Sequence, residues 1–78
     1  MKIPGWTKIE NSPHTLYKWR HDETNSFIEI SNAKDYGYVD GYILVMWSNH
    51  NSRPAGLAGE KTLSKIYDAA VKYMKAHR

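Results

Sequence analysis

TLSKIYDAAVKYMKAH, residues 62–77, decides the fold. At about 100° per residue from Leu63, the side chains of Ile66, Tyr67, Ala70, Tyr73, Met74 and His77 fall in one arc. Lys65, Asp68, Lys72 and Lys75 fall opposite, with Ala69 and Ala76 at the border. The spacing predicts an amphipathic helix about 24 Å long at roughly 1.5 Å per residue. Thr62 is its expected N-cap, with Gly59 as competitor. His77 is placed to interact with the negative end of the helix. A helix with one apolar stripe cannot bury it alone, so the chain ahead must supply a flat apolar layer.

The preceding segments have strand character. Tyr42–Trp47, YILVMW, is apolar on both faces and reads as a central strand. Residues 26–31 alternate, with Ile28 and Ile30 on one face and Phe27 and Glu29 on the other. Residues 15–21 place Leu16, Lys18 and Arg20 on one face and Tyr17, Trp19 and His21 on the other; Leu16 and Trp19 both suit burial, so alternation leaves the inward face open. The short polar link 21–25 joins these two segments as a hairpin. Trp6–Ile9 is a short strand closed by the turn residues Asn11, Ser12 and Pro13. Asp40-Gly41 signals a hairpin between residues 36–39 and 42–47, with a bulge in one long strand as the alternative. Residues 48–60 read as a polar loop.

The expected fold is therefore α+β: a small antiparallel sheet of three to five strands with one C-terminal helix packed on one face. It forms a single domain over residues 1–78, with the sheet at about 6–48, a loop at 49–60 and the helix at about 61–77. One sheet face would be left uncovered.

Composition narrows the function. The chain has 78 residues, 41% hydrophobic, with six Tyr, three Trp and one Phe, which is enough for one packed core. A core this thin leaves little room for a substrate cavity of the usual ~300 Å³ or more. There is no cysteine, which excludes disulfides, thiolate zinc sites and cysteine nucleophiles and points to an intracellular, cytoplasmic setting. The longest apolar run is too short to span a bilayer, and residues 1–12 lack the apolar stretch of a signal peptide. A net charge of +3 permits binding to nucleic acid without amounting to a polybasic arm.

Candidate sites follow from these placements. If Trp19 is core, the open face presents Lys18, Arg20 and Phe27, with Lys8 or Tyr38 nearby. Bases stack on aromatic rings and phosphates pair with Lys or Arg, so this face is the expected DNA- or RNA-binding surface. The alternative is an ordinary solvated face or a protein-binding surface, including a homodimer. The loop Gly56-Leu-Ala-Gly-Glu-Lys-Thr62 departs from the phosphate-binding pattern, because its glycines are three apart and Glu60 precedes Lys61. A weaker anion site at the helix N-terminus, with His50, Arg53 and Lys61, remains. His14, His21, His50 and His77 show no metal-ligand spacing. No nucleophile and base are paired, so neither catalysis, metal nor cofactor is expected. The basic helix stripe Lys61, Lys65, Lys72 and Lys75 could lie along phosphates, but such a stripe is more often a solubility face, and Asp68 interrupts it with Lys72 spaced to pair.

Gly5-Trp6, Ile9-Glu10, Trp19-Arg20, Ile28-x-Ile30, Tyr38-x-Asp40 and Tyr73-Met74 together resemble small archaeal proteins that join a tryptophan-bearing sheet to a C-terminal helix. That resemblance implies the fold and brings no established activity. The element order is also similar to the three-strands-then-helix DNA-binding domains of tyrosine recombinases and of a class of plant transcription factors.

Overall fold

The computed structural model describes residues 3–9, 15–48 and 54–78. The order is β1 (Trp6–Ile9), β2 (Tyr17–His21), β3 (Phe27–Asn32), a 3-10 turn (Ala33–Tyr36), β4 (Tyr42–Trp47), β5 (Ala55–Glu60) and α1 (Leu63–Ala76). The strands form one antiparallel meander, β1-β2-β3-β4-β5, so β1 and β5 are its edges. The α+β architecture inferred from the sequence is the one observed.

Two elements differ from expectation. Residues 36–39 are not a strand. The chain winds through the 3-10 turn, and the Ala33 amide donates to the Gly41 carbonyl at 3.0 Å, closing a loop. Gly41, at φ +95, serves the re-entry into β4 rather than a hairpin turn. The fifth strand, β5, lies within the predicted loop 49–60. It pairs with β4 from Tyr42↔Glu60 to Met46↔Ala55, with a bulge between Leu44 and Val45.

The register decides which residues share a face. Trp19 pairs with Ile28, Ile28 with Met46, Ile30 with Leu44, and Leu44 with Ala58. This set meets Ile66, Ala70 and Met74 of α1, at positions i, i+4 and i+8, and all three helix residues are fully buried. The Thr62 hydroxyl accepts from the Lys65 amide at 3.3 Å, capping the helix as expected. At the other end, the Trp6 indole donates to the Met74 carbonyl at 3.1 Å. His77 donates through Nδ1 to the Tyr73 carbonyl at 2.9 Å and stacks on the Tyr73 ring. Both acceptors are carbonyls of the last helical turn, and that of Met74 also takes the His77 amide at 3.3 Å.

Burial of Trp19 resolves the choice left open by alternation. Tyr17, Trp19 and Tyr67 pack edge-on or stacked with ring centres 5.2 to 6.0 Å apart. Lys18 and Arg20 therefore point away from the helix. None of the described helices is long and apolar enough to cross a membrane.

Candidate nucleic-acid interface on the far sheet face

The face away from α1 carries Thr7, Ile9, Lys18, Arg20, Phe27, Glu29, Ser31, Ile43, Val45, Trp47, Gly56 and Gly59. It is not bare throughout, as alternation alone suggests. Its middle is closed by the chain itself and its two flanks are open.

The closed middle is organised by Glu29, which is only 7% exposed. Its Oε1 accepts from the Tyr36 hydroxyl and the Trp47 indole, both at 2.8 Å, and its Oε2 accepts from the Thr15 hydroxyl at 3.1 Å. A buried carboxylate is tolerable only when it is well hydrogen-bonded, and these three donors serve both of its oxygens. Tyr36 arrives from the 3-10 turn and Trp47 from the end of β4, so the carboxylate ties the loop and the strand to β3. Ser31, Ile43 and Val45 are buried alongside.

Burial pushes the Tyr36 phenol up to about 12 from 10.0. Its bond to Glu29 and the carboxylate charge push the same way, and Ser31 and Trp47 pull back. The folded state thus favours the neutral phenol. The stability this contributes is fully present below pH 10 and is lost as pH rises from about 10 to about 12. Ultraviolet titration should show a phenolate appearing near pH 12 that is missing from Tyr36→Phe, and the variant's melting temperature should fall less between pH 10 and 12. Equal losses in both proteins would contradict this account.

The first open flank lies over β1 to β3. Arg20 is exposed, and Lys18 and Phe27 are half-buried. The Lys18 ammonium sits 4.7 Å from the centre of the Phe27 ring. Thr7 lies beside them in register with Arg20, its hydroxyl bonded to Asp22 at 2.6 Å. Lys8 does not join this group. It pairs with Trp19 and extends on the helix side, 5.0 Å from the Tyr17 ring. Period-two alternation makes this unavoidable once Trp6 and Trp19 are both core.

The second open flank lies beside β5, where a groove of about 800 Å³ is lined by Ala33, Tyr38, Asp40, Ile43, Leu57 and Lys61, among others. Tyr38, expected near Lys18, is here instead, 61% exposed in the loop before β4. Lys61 lines the same groove, so the structure places one residue from each sequence-predicted site along it. Sequence reasoning did not place Gly56 and Gly59 here; they leave the two far-face positions of β5 without side chains, while Leu57, Ala58 and Glu60 of the same strand also line the groove. His50 and Arg53 lie outside the described residues.

Among the described residues, no group of three or more His, Cys, Asp or Glu side chains comes together in a way that could hold a metal ion. His21 is buried against Trp6, and its Nδ1 accepts from the Glu23 and Thr24 amides at 3.2 and 3.3 Å, shaping the β2–β3 turn. No family model, no curated protein and no solved structure matches this chain.

Proposed function

We propose that this chain is a non-catalytic cytoplasmic module that binds single-stranded DNA or RNA on the far face of its sheet. The observation that carries the reading is the juxtaposition of Lys18, Arg20 and Phe27 on an open flank. A base that takes the Phe27 ring face displaces the Lys18 ammonium onto a neighbouring phosphate, and Arg20 takes the next. The contact needs neither cofactor nor metal.

The test is oligonucleotide affinity against salt. Two cations on two phosphates of a single strand contribute about 1.4 to the slope of log K against log salt, at roughly 0.7 each. Replacing both Lys18 and Arg20 with alanine should remove that increment and weaken binding at low salt. No binding by the wild-type protein at low salt, or identical slopes, would eliminate the reading.

A second reading, self-association, is favoured by the β5 edge, along whose outer side no strand pairs among the described residues. Val39 stands 86% exposed in the loop that ends at β4. Antiparallel pairing of β5 with its copy would continue the sheet. Sedimentation equilibrium that fits a monomer at every concentration would remove this reading.

A further inference from the structure

The groove beside β5 asks for an explanation, because glycine disfavours strands. Gly56 and Gly59 occupy the two far-face positions of β5, paired with Val45 and Ile43. Neither has positive φ, unlike Gly5, Gly37 and Gly41, so the backbone does not demand glycine there. The extra residue of the bulge is Leu57, between Ala58 and Gly56, so the bulge does not demand it either. Among the described residues, a Cβ at Gly56 would meet nothing within 4 Å, and one at Gly59 only the Tyr42 carbonyl at 3.8 Å. Side chains would fit in both places. What they would fill is the groove. Glycine in a strand often marks a place where a ligand approaches the backbone closely.

The lining points to one kind of ligand. The lining combines the bare backbone of Gly56 and Gly59 with Leu57, Ala58 and Ile43, and Tyr38 adds an exposed ring. Lys61 and Lys65 line the same groove, and Lys34 lines the adjoining hollow that shares Asp40, Tyr42 and Lys61. All three lysines are exposed, and they outnumber the carboxylates of Asp40 and Glu60. A planar apolar ring joined to an anion matches this division. The volume of about 800 Å³ falls within the usual range for small-ligand sites, roughly 300 to 1,000 Å³. Asp40 and Glu60 only accept hydrogen bonds when ionised, so they suit guanine, whose N1–H and N2 amino group donate side by side, better than uracil, whose single N3–H is flanked by two carbonyl acceptors.

We propose that this groove seats one nucleotide. The base lies on the bare backbone of Gly56 and Gly59 against Tyr38, and the phosphate lies toward Lys61, Lys65 and Lys34. The inference rests on the nucleic-acid reading for its ligand class, but it concerns a different flank of the sheet, so the two can fail separately.

The test is an amide NMR titration of the full chain with guanosine monophosphate, uridine monophosphate and inorganic phosphate. Guanosine monophosphate should shift the amides of Tyr38, Ile43, Gly56 and Gly59, with at least several-fold weaker binding for the uridine nucleotide. Phosphate alone should move only signals near Lys61 and Lys65. Gly59→Val should weaken guanosine monophosphate at least tenfold while the amide spectrum of α1 and β1–β3 stays in place. Gly56→Val, whose Cβ meets no neighbour among the described residues, gives a second filling of the groove should the first variant misfold.

Three outcomes would overturn the proposal. One is undisturbed groove amides with both nucleotides, even if oligonucleotides still bind through Lys18 and Arg20. Another is unchanged affinity in the folded valine variants. The third is groove signals that shift with protein concentration alone, which would assign the groove to a second copy of the chain.

Discussion

Replacing Glu29 with alanine should cost about 3 kcal/mol of stability. Tyr36, Trp47 and Thr15 lose a common acceptor. A buried donor left without its acceptor costs roughly 1 to 3 kcal/mol. Thr15 is buried, whereas Tyr36 and Trp47 are half-buried and regain part of their loss from water. The sum therefore stays well below three full penalties. A chain of this length has a total stability of about 4 to 12 kcal/mol, so the substitution consumes a large share of it. Glu29→Gln is the control. Its carbonyl oxygen still accepts from Tyr36 and Trp47, and its amide donates toward Thr15, whose hydroxyl can also accept. The cost should then be about 1 to 2 kcal/mol, since bonds to a charged acceptor are the stronger ones. Urea denaturation of the three proteins measures both steps. An alanine variant within about 0.5 kcal/mol of wild type would mean that water replaces the carboxylate and that the middle of the far face is not closed by it.

This network also shows where the sequence stops being legible. Glu29 alternates with Ile28 and Ile30, and alternation alone reads it as solvated. Its donors come from residues 15, 36 and 47, and nothing local announces their convergence. The helix, by contrast, is written in local spacing: Ile66, Ala70 and Met74 repeat every four residues, and Thr62 caps them as expected. The β2–β3 hairpin and the central position of β4 were equally readable, from alternation and from a run apolar on both faces.

β5 was not readable. AGLAGE contains no β-branched or aromatic residue, and only pairing with β4 makes it a strand. The turn chemistry of Asp40-Gly41 was real but was used differently, because the Ala33 to Gly41 bond closes the loop before the dipeptide can turn a hairpin. For the candidate site the limit was similar. Lys18 and Arg20 share a face by period two, but joining Phe27 to them takes the β2–β3 register and the burial of Trp19. That Tyr38 and Lys61 line one groove depends on β5, which the sequence hides.

The other large effect belongs to the helix. Ile66 has no exposed surface and lies in the cluster formed with Ile28, Ile30, Leu44 and Met74. Ile66→Ala removes buried methyl groups and leaves a cavity, at a cost of about 3 kcal/mol in a usual range of roughly 2 to 5. With a urea slope of roughly 1.5 kcal/mol per M, the midpoint should fall by about 2 M. Leu63→Ala is the matched control. Leu63 lies one turn earlier on the same stripe but is 36% exposed, so its loss should stay under about 1 kcal/mol. The manner of unfolding matters as much as the size of the shift. α1 covers one face of the sheet, and without it Ile28, Ile30 and Leu44 meet water. Helix and sheet should therefore unfold together, with far-ultraviolet circular dichroism and tryptophan fluorescence giving one shared midpoint in wild type and variant alike. If the helical signal is lost first and the fluorescence of Trp19 survives it, the sheet stands without the helix. Its far face would then be held by the Glu29 network rather than by packing from behind.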